Sequence, residues 1–405
     1  MKSGSSGGAF STRGKRRLLI AGGGHADIPL IQAAKALGFH VITSGNRPDD
    51  MGHSYSDEYH RADFSDRDAV LAVARSSRAH AICACCNDFS AISCAYVAEK
   101  LGLPGHDPYE TALVVHHKDR YRQFAQDNGI ATPRAVAFAD IDEGLDAAET
   151  FPFPVIVKPV DMSGGKGMGT AGDAAEARTR LREAFATSKA GRVVVEEFIE
   201  GSRHGFSAFI REGRVGFFFS DNEHYYKNAY LVSAASTPSI VGEEVEQKLR
   251  RESERIASLL SLKTGIFHVQ YILRDGEPVI IEICRRSPGD LYTRFVEHAT
   301  GVPYPSWIVR ASAGMDCSDI AHIAPTGFFT RHCVMCSREG TVEDVVFDES
   351  VQGNVIDRFM WWKPNDRVEN VLTQKFGIVF LRFSCMDEML DKTERMQDLI
   401  RVKFS

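Results

Sequence analysis

Long apolar runs are absent from this 405-residue sequence. None approaches the ~20 consecutive apolar residues that a bilayer-spanning helix needs. Charge of one sign is also scarce: 48 Lys and Arg stand against 54 Asp and Glu, for a formal net charge of -6. No acidic or basic tail dominates, so composition points to neither nucleic acid nor membrane as a partner. Nine cysteines in a chain this long do not make a disulfide framework. Cys83, Cys85 and Cys86 sit in an apolar strand and read as core packing. Cys333 and Cys336 form a lone pair with no second pair at zinc spacing. A reducing, cytoplasmic setting is the simplest reading. A secretory signal would need a continuous apolar stretch, and Gly22-Gly23-Gly24 interrupts the only candidate. Residues 1–16 read as a flexible tail, with Lys15, Arg16 and Arg17 at a solvated strand start.

What is present is 43% hydrophobic and 25% charged sequence, which suits two or three packed units. Residues 17–115 alternate strands and helices. Strands are expected at Leu18–Ala21, Phe39–Thr43 and Ala81–Cys85, with helices at Ile28–Leu37, Asp66–Arg75 and Ala91–Leu101. This rhythm predicts a doubly wound parallel sheet. Gly22 and Gly24 begin a dinucleotide-type fingerprint, but Asp27 stands at its third glycine. Asn46 and Arg47, not an acidic residue, follow the second strand. The turn is read instead as aiming a helix N-terminus at an anionic group. His25, Asn46, Arg47, Asn87 and Asp88 end strands of this sheet, where parallel sheets place ligands. From Lys118 the pattern becomes mixed α+β. Strands are expected at Val155–Lys158, Arg192–Glu197, Phe206–Ile210, Val215–Phe219, Gly265–Leu273 and Pro278–Ile283. Helices are expected at Ala174–Ala186 and Glu243–Leu260. Strands near Phe328–Met335 and Ile378–Phe383 precede a terminal helix over Met386–Leu399.

Three clusters carry chemistry. Lys158 ends an apolar strand just before a loop whose Gly164, Gly165, Gly167 and Gly169 alternate with Ser163, Lys166 and Met168. A strand-held lysine can meet phosphate oxygens as a point charge, and glycines let backbone N–H groups approach a polyphosphate. A flexible hairpin with a solvated lysine has the same pattern. The loop is not of Walker type, because no Gly-Lys-Ser/Thr closes it. In the second cluster the apolar strand Val193-Val194-Val195 runs into Glu196 and Glu197, then Phe198 and Ile199. It is either a strand end reaching water or a hinge whose backbone holds a base edge. The third is an expected hairpin turning at Asp275-Gly276. Alternation places Glu282, Cys284 and Arg286 on one face, with Gln270 near Glu282. A half-buried carboxylate needs a partner or a metal, so Glu282 is a metal ligand or one half of an ion pair.

Taken in order, Lys118, Lys158, the Ser163–Gly169 loop, Glu196 to Ile199, and Glu282 to Arg286 resemble the ATP-grasp superfamily. The likeness is to the branch of biotin carboxylase-like proteins and carboxylate–amine (L-amino-acid) ligases. It implies a pre-ATP-grasp α/β domain at 17–115, a small lobe at 116–204 and a large lobe at 205–310. Residues 311–405 then complete the large lobe or form an accessory subdomain. It implies ATP and Mg²⁺ (or Mn²⁺) as cofactors. Lys118 and Lys158 would contact phosphates beneath Ser163, Gly164, Gly165 and Gly167. Glu197, Phe198 and Ile199 would hold adenine, with Glu196 near its amino group and His204 as a ribose contact. Glu282 and Gln270 would hold the metal, and Arg286 would stabilise the acyl phosphate and tetrahedral intermediate. Arg285, Arg286 and Gly289 would face a substrate carboxylate, and Asp290 an ammonium.

The implied activity is an ATP-dependent ligase joining a small carboxylate to an amine, with amino acids as the expected partners and a homodimer compatible with the family. Two positions depart from the pattern. Gln270 replaces an acidic residue, and Cys284 replaces an asparagine. A carboxylase or purine-assembly enzyme, and a non-catalytic nucleotide-binding protein with a decayed metal site, are the alternatives.

Overall fold

The computed structural model describes residues 14–162 and 164–405. Residues 1–13 of the expected tail, and Ser163 of the glycine loop, lie outside the described residues. No helix among those described is long and apolar enough to cross a membrane.

The first domain holds four parallel strands: β1 (Arg17–Ala21), β2 (His40–Gly45), β3 (Glu58–Arg61) and β4 (Ala81–Ala84). Their order is β3-β2-β1-β4, with helices Ile28–Ala36 and Arg67–Ser76 connecting strands and Asp88–Leu101 following β4. Because strand residues alternate faces, Leu19, Ile42 and Ile82 pack under the second and third of these helices. Leu18, Ile20, Val41 and Cys83 point the other way, into a core shared with Phe209, Tyr304, Trp307 and Val309. The domain is therefore fused to the rest of the chain by apolar burial. The expected anion site at its glycine turn does not form. Asp27 is 4% exposed and its carboxylate accepts from Gly24 N (2.8 Å) and Cys86 N (3.0 Å), so the chain fills that place itself.

A second sheet contains β5 (Ala135–Phe138), β6 (Val155–Pro159), β7 (Gly169–Ala171) and β8 (Val193–Glu197), in the order β5-β8-β6-β7. Helix Ala174–Thr187 covers it through Ala177, Leu181 and Ala184. The glycine loop is the connection from β6 to β7.

The largest sheet is antiparallel and has eight strands. It begins with β9 (Ser202–Arg211), β10 (Arg214–His224), β11 (Ala234–Thr237), β12 (Gly265–Arg274) and β13 (Glu277–Cys284). It continues through β14 (Phe328–Met335), while β15 (Gly340–Phe347) leaves for a separate sheet. Then come β16 (Val355–Met360), β17 (Arg367–Val368), β18 (Lys375–Phe383) and β19 (Ile400–Phe404). The eight run β13-β12-β9-β10-β11-β14-β18-β16, and β17-β15-β19 form the small third sheet. One face of β9, β10 and β12 buries Phe206, Ala208 and Val269 under helix Glu243–Leu259. The single terminal helix expected over 386–399 is two, Met386–Glu394 and Met396–Leu399, broken at Arg395. The break lets Ile400 and Val402 leave as a strand paired with β15. Cys333 and Cys336 belong to different cores on the two sides of the large sheet.

Candidate active site

A cleft of about 360 Å³ lies between the small sheet and the open face of the large one. Its upper wall carries Lys158, next to last in β6, and Glu196, next to last in β8. The two strands pair antiparallel, so these side chains meet: Lys158 Nζ donates to Glu196 at 2.7 Å. Arg122, from helix Lys118–Asp127, binds the same carboxylate through Nε at 3.0 Å and a terminal nitrogen at 3.1 Å. All three are buried. Burial lowers the Lys158 pKa, and Glu196 only partly opposes that. The Glu196 carboxyl is held below its ordinary range because Arg122 and Lys158 outweigh its desolvation. Lys118 lines the same wall and donates to the Met162 carbonyl at 2.8 Å. Lys158 and Arg122 share one carboxylate and Lys118 stands in the same wall, and the surplus positive charge suits an anionic ligand. Glu196 itself is corrected: one oxygen accepts from both Lys158 and Arg122, and the other is buried 3.0 Å from Arg122 Nε without hydrogen-bond geometry, so the carboxylate is their counter-ion, not a free contact for an adenine amino group. Arg122 was not singled out from sequence, since one arginine on an amphipathic helix carries no signal of burial.

Beyond Glu196 the backbone is partly committed. Glu197 N–H donates to Arg134 O and Phe198 N–H to Pro154 O. Among the described residues the Ile199 N–H has no hydrogen-bond partner, which leaves it available to an acceptor in the cleft. His204 is turned away. It precedes Gly205 on β9, so alternation sends it to the helix-covered face, where it stacks on Tyr271 and bonds Ser202. It does not line the cleft, and the expected ribose contact is withdrawn. Gly164 and Gly165 line the cleft with φ of +67° and +75°. A Cβ on Gly165 would lie 2.6 Å from that of Tyr230, so the loop rests on the segment after β10. Gly167 is also left-handed but faces Thr187 and Pro159, away from the cavity.

The floor is a row across the large sheet. Glu282 on β13 is register partner of Gln270 on β12, Gln270 of Gly205 on β9, and Gly205 of Asp221 on β10. Glu282 is half-buried and has no hydrogen-bond or ion-pair partner among the described residues. Gln270 Nε2 donates to Glu223 at 2.6 Å, and Tyr225 O–H donates to the other oxygen of Glu223 at 2.5 Å. Asp221 accepts from Tyr292 O–H. Burial, then the Glu223 charge, push the Asp221 carboxyl up to about 7. Burial raises Glu223 as well. Asp221 and Glu223 were missed because β10 reads as a Phe-rich apolar strand up to Phe219. Their spacing two apart, after that run, was the signal. Cys284 is buried, and burial pushes its thiol up to about 12. A neutral thiol is a poor Mg²⁺ ligand. No group of three or more His, Cys, Asp or Glu among the described residues could hold a metal alone. An unpaired carboxylate beside an amide does fit Mg²⁺ that takes its remaining oxygens from phosphates.

At the far end, Arg286 grips Asp88 with both prongs (3.0 and 3.1 Å), and His116 donates to the same carboxylate at 2.9 Å. Burial raises the Asp88 pKa less than Arg286 and His116 lower it, so the carboxyl is held well below its usual range. Arg331, in mid-strand on β14, joins it in the lining with its Nε unpartnered. A charged residue inside an apolar strand was the signal that could have found it. Arg285 is corrected: it points out of the cleft to Asp107 (2.8 Å) and the carbonyls of Lys263 and Ile266. Asp290 lines the cleft, but Lys375 contacts both of its oxygens at 2.7 Å and Arg331 lies 3.6 Å away. Although burial raises its pKa, Lys375 and Arg331 bring it down to about 2. It is not free to receive an ammonium. Gly289 lines the cleft beside it. His25 stacks on Trp361 with ring centroids 4.4 Å apart, joining the first domain to the end of β16. Asn87 caps its helix and Asn46 bonds Asp63.

The chain matches the family model described as carbamoyl-phosphate synthase L chain, ATP binding domain, over residues 117–320. The formate-dependent phosphoribosylglycinamide formyltransferase of Rhodococcus jostii is 25% identical over 284 residues, 68% of this chain and 70% of that protein. The carbamoyl phosphate synthase large chain of Vibrio cholerae is 24% identical over 324 residues, 74% of this chain but 29% of the synthase. The L-amino acid ligase of Bacillus licheniformis superposes with a TM-score of 0.80 at 19% identity, covering 98% of this chain and 100% of that one. The biotin carboxylase domain of Hydrogenobacter thermophilus 2-oxoglutarate carboxylase gives 0.76 at 16% identity, covering 96% and 90%, respectively. These likenesses establish the mixed α/β architecture expected from sequence. The family model spans half of the chain, and the protein therefore belongs to the carbamoyl-phosphate synthase L chain ATP-binding-domain family, with the ATP-grasp fold.

Proposed function

We propose that the protein is an ATP-dependent ligase that activates a small carboxylate as an acyl phosphate and transfers the acyl group to an amine. One observation carries the reading. A single cleft is lined by Lys118, Lys158, Arg286 and Arg331 together with the unpaired Glu282. Four cations around one cleft suit two anions brought together, a polyphosphate and a carboxylate.

The residues divide the work. The Ile199 N–H donates to the base edge, and Gly164 and Gly165 bring backbone donors over the phosphates. Lys118 and Lys158 offset phosphate charge. Glu282 and the Gln270 amide would hold Mg²⁺ or Mn²⁺, which draws charge from the phosphate oxygens and eases transfer. Arg286 and Arg331 orient the substrate carboxylate. Its oxygen attacks the γ-phosphorus and the bond to ADP breaks. An amine then attacks the acyl carbon, loses a proton, and expels phosphate. Arg286, fixed by Asp88, stabilises the oxyanion of the tetrahedral intermediate. Amino acids are the substrate class this reading favours. The formate-dependent relative favours a second reading, in which a one-carbon acid is activated.

The test is phosphate release with ATP and Mg²⁺ across panels of amino acids, formate and bicarbonate, with product mass as the second readout. Release that requires both an amino acid and an amine supports the ligase. Release with formate or bicarbonate alone transfers support to the second reading. ATP binding with no phosphate release in any arm removes both.

A further inference from the structure

Gln270 stands where the resemblance expects an acidic metal ligand, and an amide has two unlike ends. Its oxygen can meet a cation, whereas its NH₂ group repels one. Which end faces the cleft is decided by what holds the other.

The holding group comes from two strands away. Gln270 on β12 and Glu223 on β10 are separated by β9, about 9.6 Å at the usual strand spacing. Opposite Gln270 on β9 stands Gly205, whose own partner on β10 is Asp221. Gly205 has no side chain on this face, and the Asp221 carboxylate lies 2.8 Å from where its Cβ would sit. Gln270 Nε2 crosses to Glu223, two residues beyond Asp221, and donates to its Oε1 at 2.6 Å. The second Glu223 oxygen takes the Tyr225 hydroxyl at 2.5 Å. A carboxylate that accepts two donors has only acceptor sites to offer, so it selects the NH₂ end of the amide. Gln270 Oε1 is then left with no donor among the described residues, in the cleft lining opposite Glu282.

We propose that Glu223 is a positioning residue for a divalent-cation site: it fixes the Gln270 amide so that the oxygen, not the nitrogen, faces the cation beside Glu282. The negative charge missing from β12 is thereby supplied from β10, one hydrogen bond behind the ligand. The proposal rests on the reading of Glu282 as an anionic cation ligand. Such outer partners fix ligand orientation and raise ligand basicity, and their loss costs ~10–100-fold in metal affinity.

Mn²⁺ serves as the probe. Its binding is followed by the loss of the free-ion electron paramagnetic resonance signal, with the full-length protein and a non-hydrolysable ATP analogue, so no turnover is needed. Glu282→Gln should abolish site binding; unchanged binding there removes the underlying reading and the proposal with it. Glu223→Gln should weaken Mn²⁺ by ~10-fold or more, leave metal-free affinity for the analogue unchanged, and add nothing in a Gln270→Ala background. Glu223→Asp, which keeps the charge but shortens the reach, should weaken Mn²⁺ likewise and serves if Glu223→Gln does not fold. Wild-type Mn²⁺ affinity in a folded Glu223 variant, with Glu282→Gln inactive in binding, overturns the positioning role alone. An equal further loss in the Gln270→Ala background also overturns it, because Glu223 would then act without Gln270.

Discussion

Arg286, two residues past the end of β13, closes a two-pronged ion pair with Asp88, the first residue of a helix in the N-terminal domain. The contact spans 198 residues of sequence and ties the proposed acyl-phosphate site to the N-terminal domain, where Asp88 is that arginine's only ion-pair partner among the described residues. Arg286→Lys keeps the charge and loses the planar fork. We expect kcat to fall by about two orders of magnitude, with affinity for an ATP analogue within roughly twofold. Steady-state kinetics beside calorimetry separates the two. Normal turnover would reduce Arg286 to a structural tie.

The Lys158–Glu196–Arg122 cluster predicts two different phenotypes. Lys158→Ala leaves Glu196 paired with Arg122, so the chain should fold while ATP affinity drops roughly tenfold or more, the worth of a charged contact. Glu196→Ala strands two buried cations. It should lose about 3–5 kcal/mol of stability, seen as an earlier urea midpoint. Equal stability of the two variants would count against the cluster as drawn.

Gly165 has a φ of +75° and leaves no room for a Cβ against Tyr230. Hydrogen exchange across Gly164–Gly169 should slow when an ATP analogue and Mg²⁺ are added, because phosphate contacts favour the closed loop. In Gly165→Ala that protection should be lost at the same ligand concentration. Identical exchange with and without nucleotide would deny the loop a role as a lid.

His332 is buried with both ring nitrogens unpartnered. Burial, then the Arg331 charge, push its pKa down to about 3, from an ordinary 6.5. The unfolded chain therefore takes up a proton that the folded chain refuses. Stability from this residue is present above pH 6.5 and is lost as pH falls toward 3. His332→Leu should flatten the decline in unfolding free energy between about pH 6.5 and 4.5, measured by urea titration at several pH values. A slope unchanged from wild type would show that His332 is protonated in the folded protein.

Much of this protein was legible locally. Strand β14 falls on Phe328–Met335 as the apolar run predicts, and the β12–β13 hairpin turns at Asp275-Gly276, whose φ values are +53° and +80°. Lys158 before a glycine loop, and Glu282 after Val279–Ile281, declare themselves because spacing of two on a strand assigns a face. The Arg395 break was not legible. Its cause is the pairing of Ile400–Phe404 with β15, a partner more than fifty residues earlier in the chain.

What the sequence determined by itself is the kind of those elements with a clear apolar period, and which residues share a strand face, because those follow from backbone periodicity; short strands such as β3, β5 and β7 were not read from it. What only the tertiary structure decided is which charges are free. Asp290, Arg285, Glu196 and Glu282 all read as site charges in sequence, yet the first three are consumed by Lys375, Asp107 and Lys158, and Glu282 is not. Partners for buried charges come from distant segments brought within about 3 Å, and nothing local encodes who arrives.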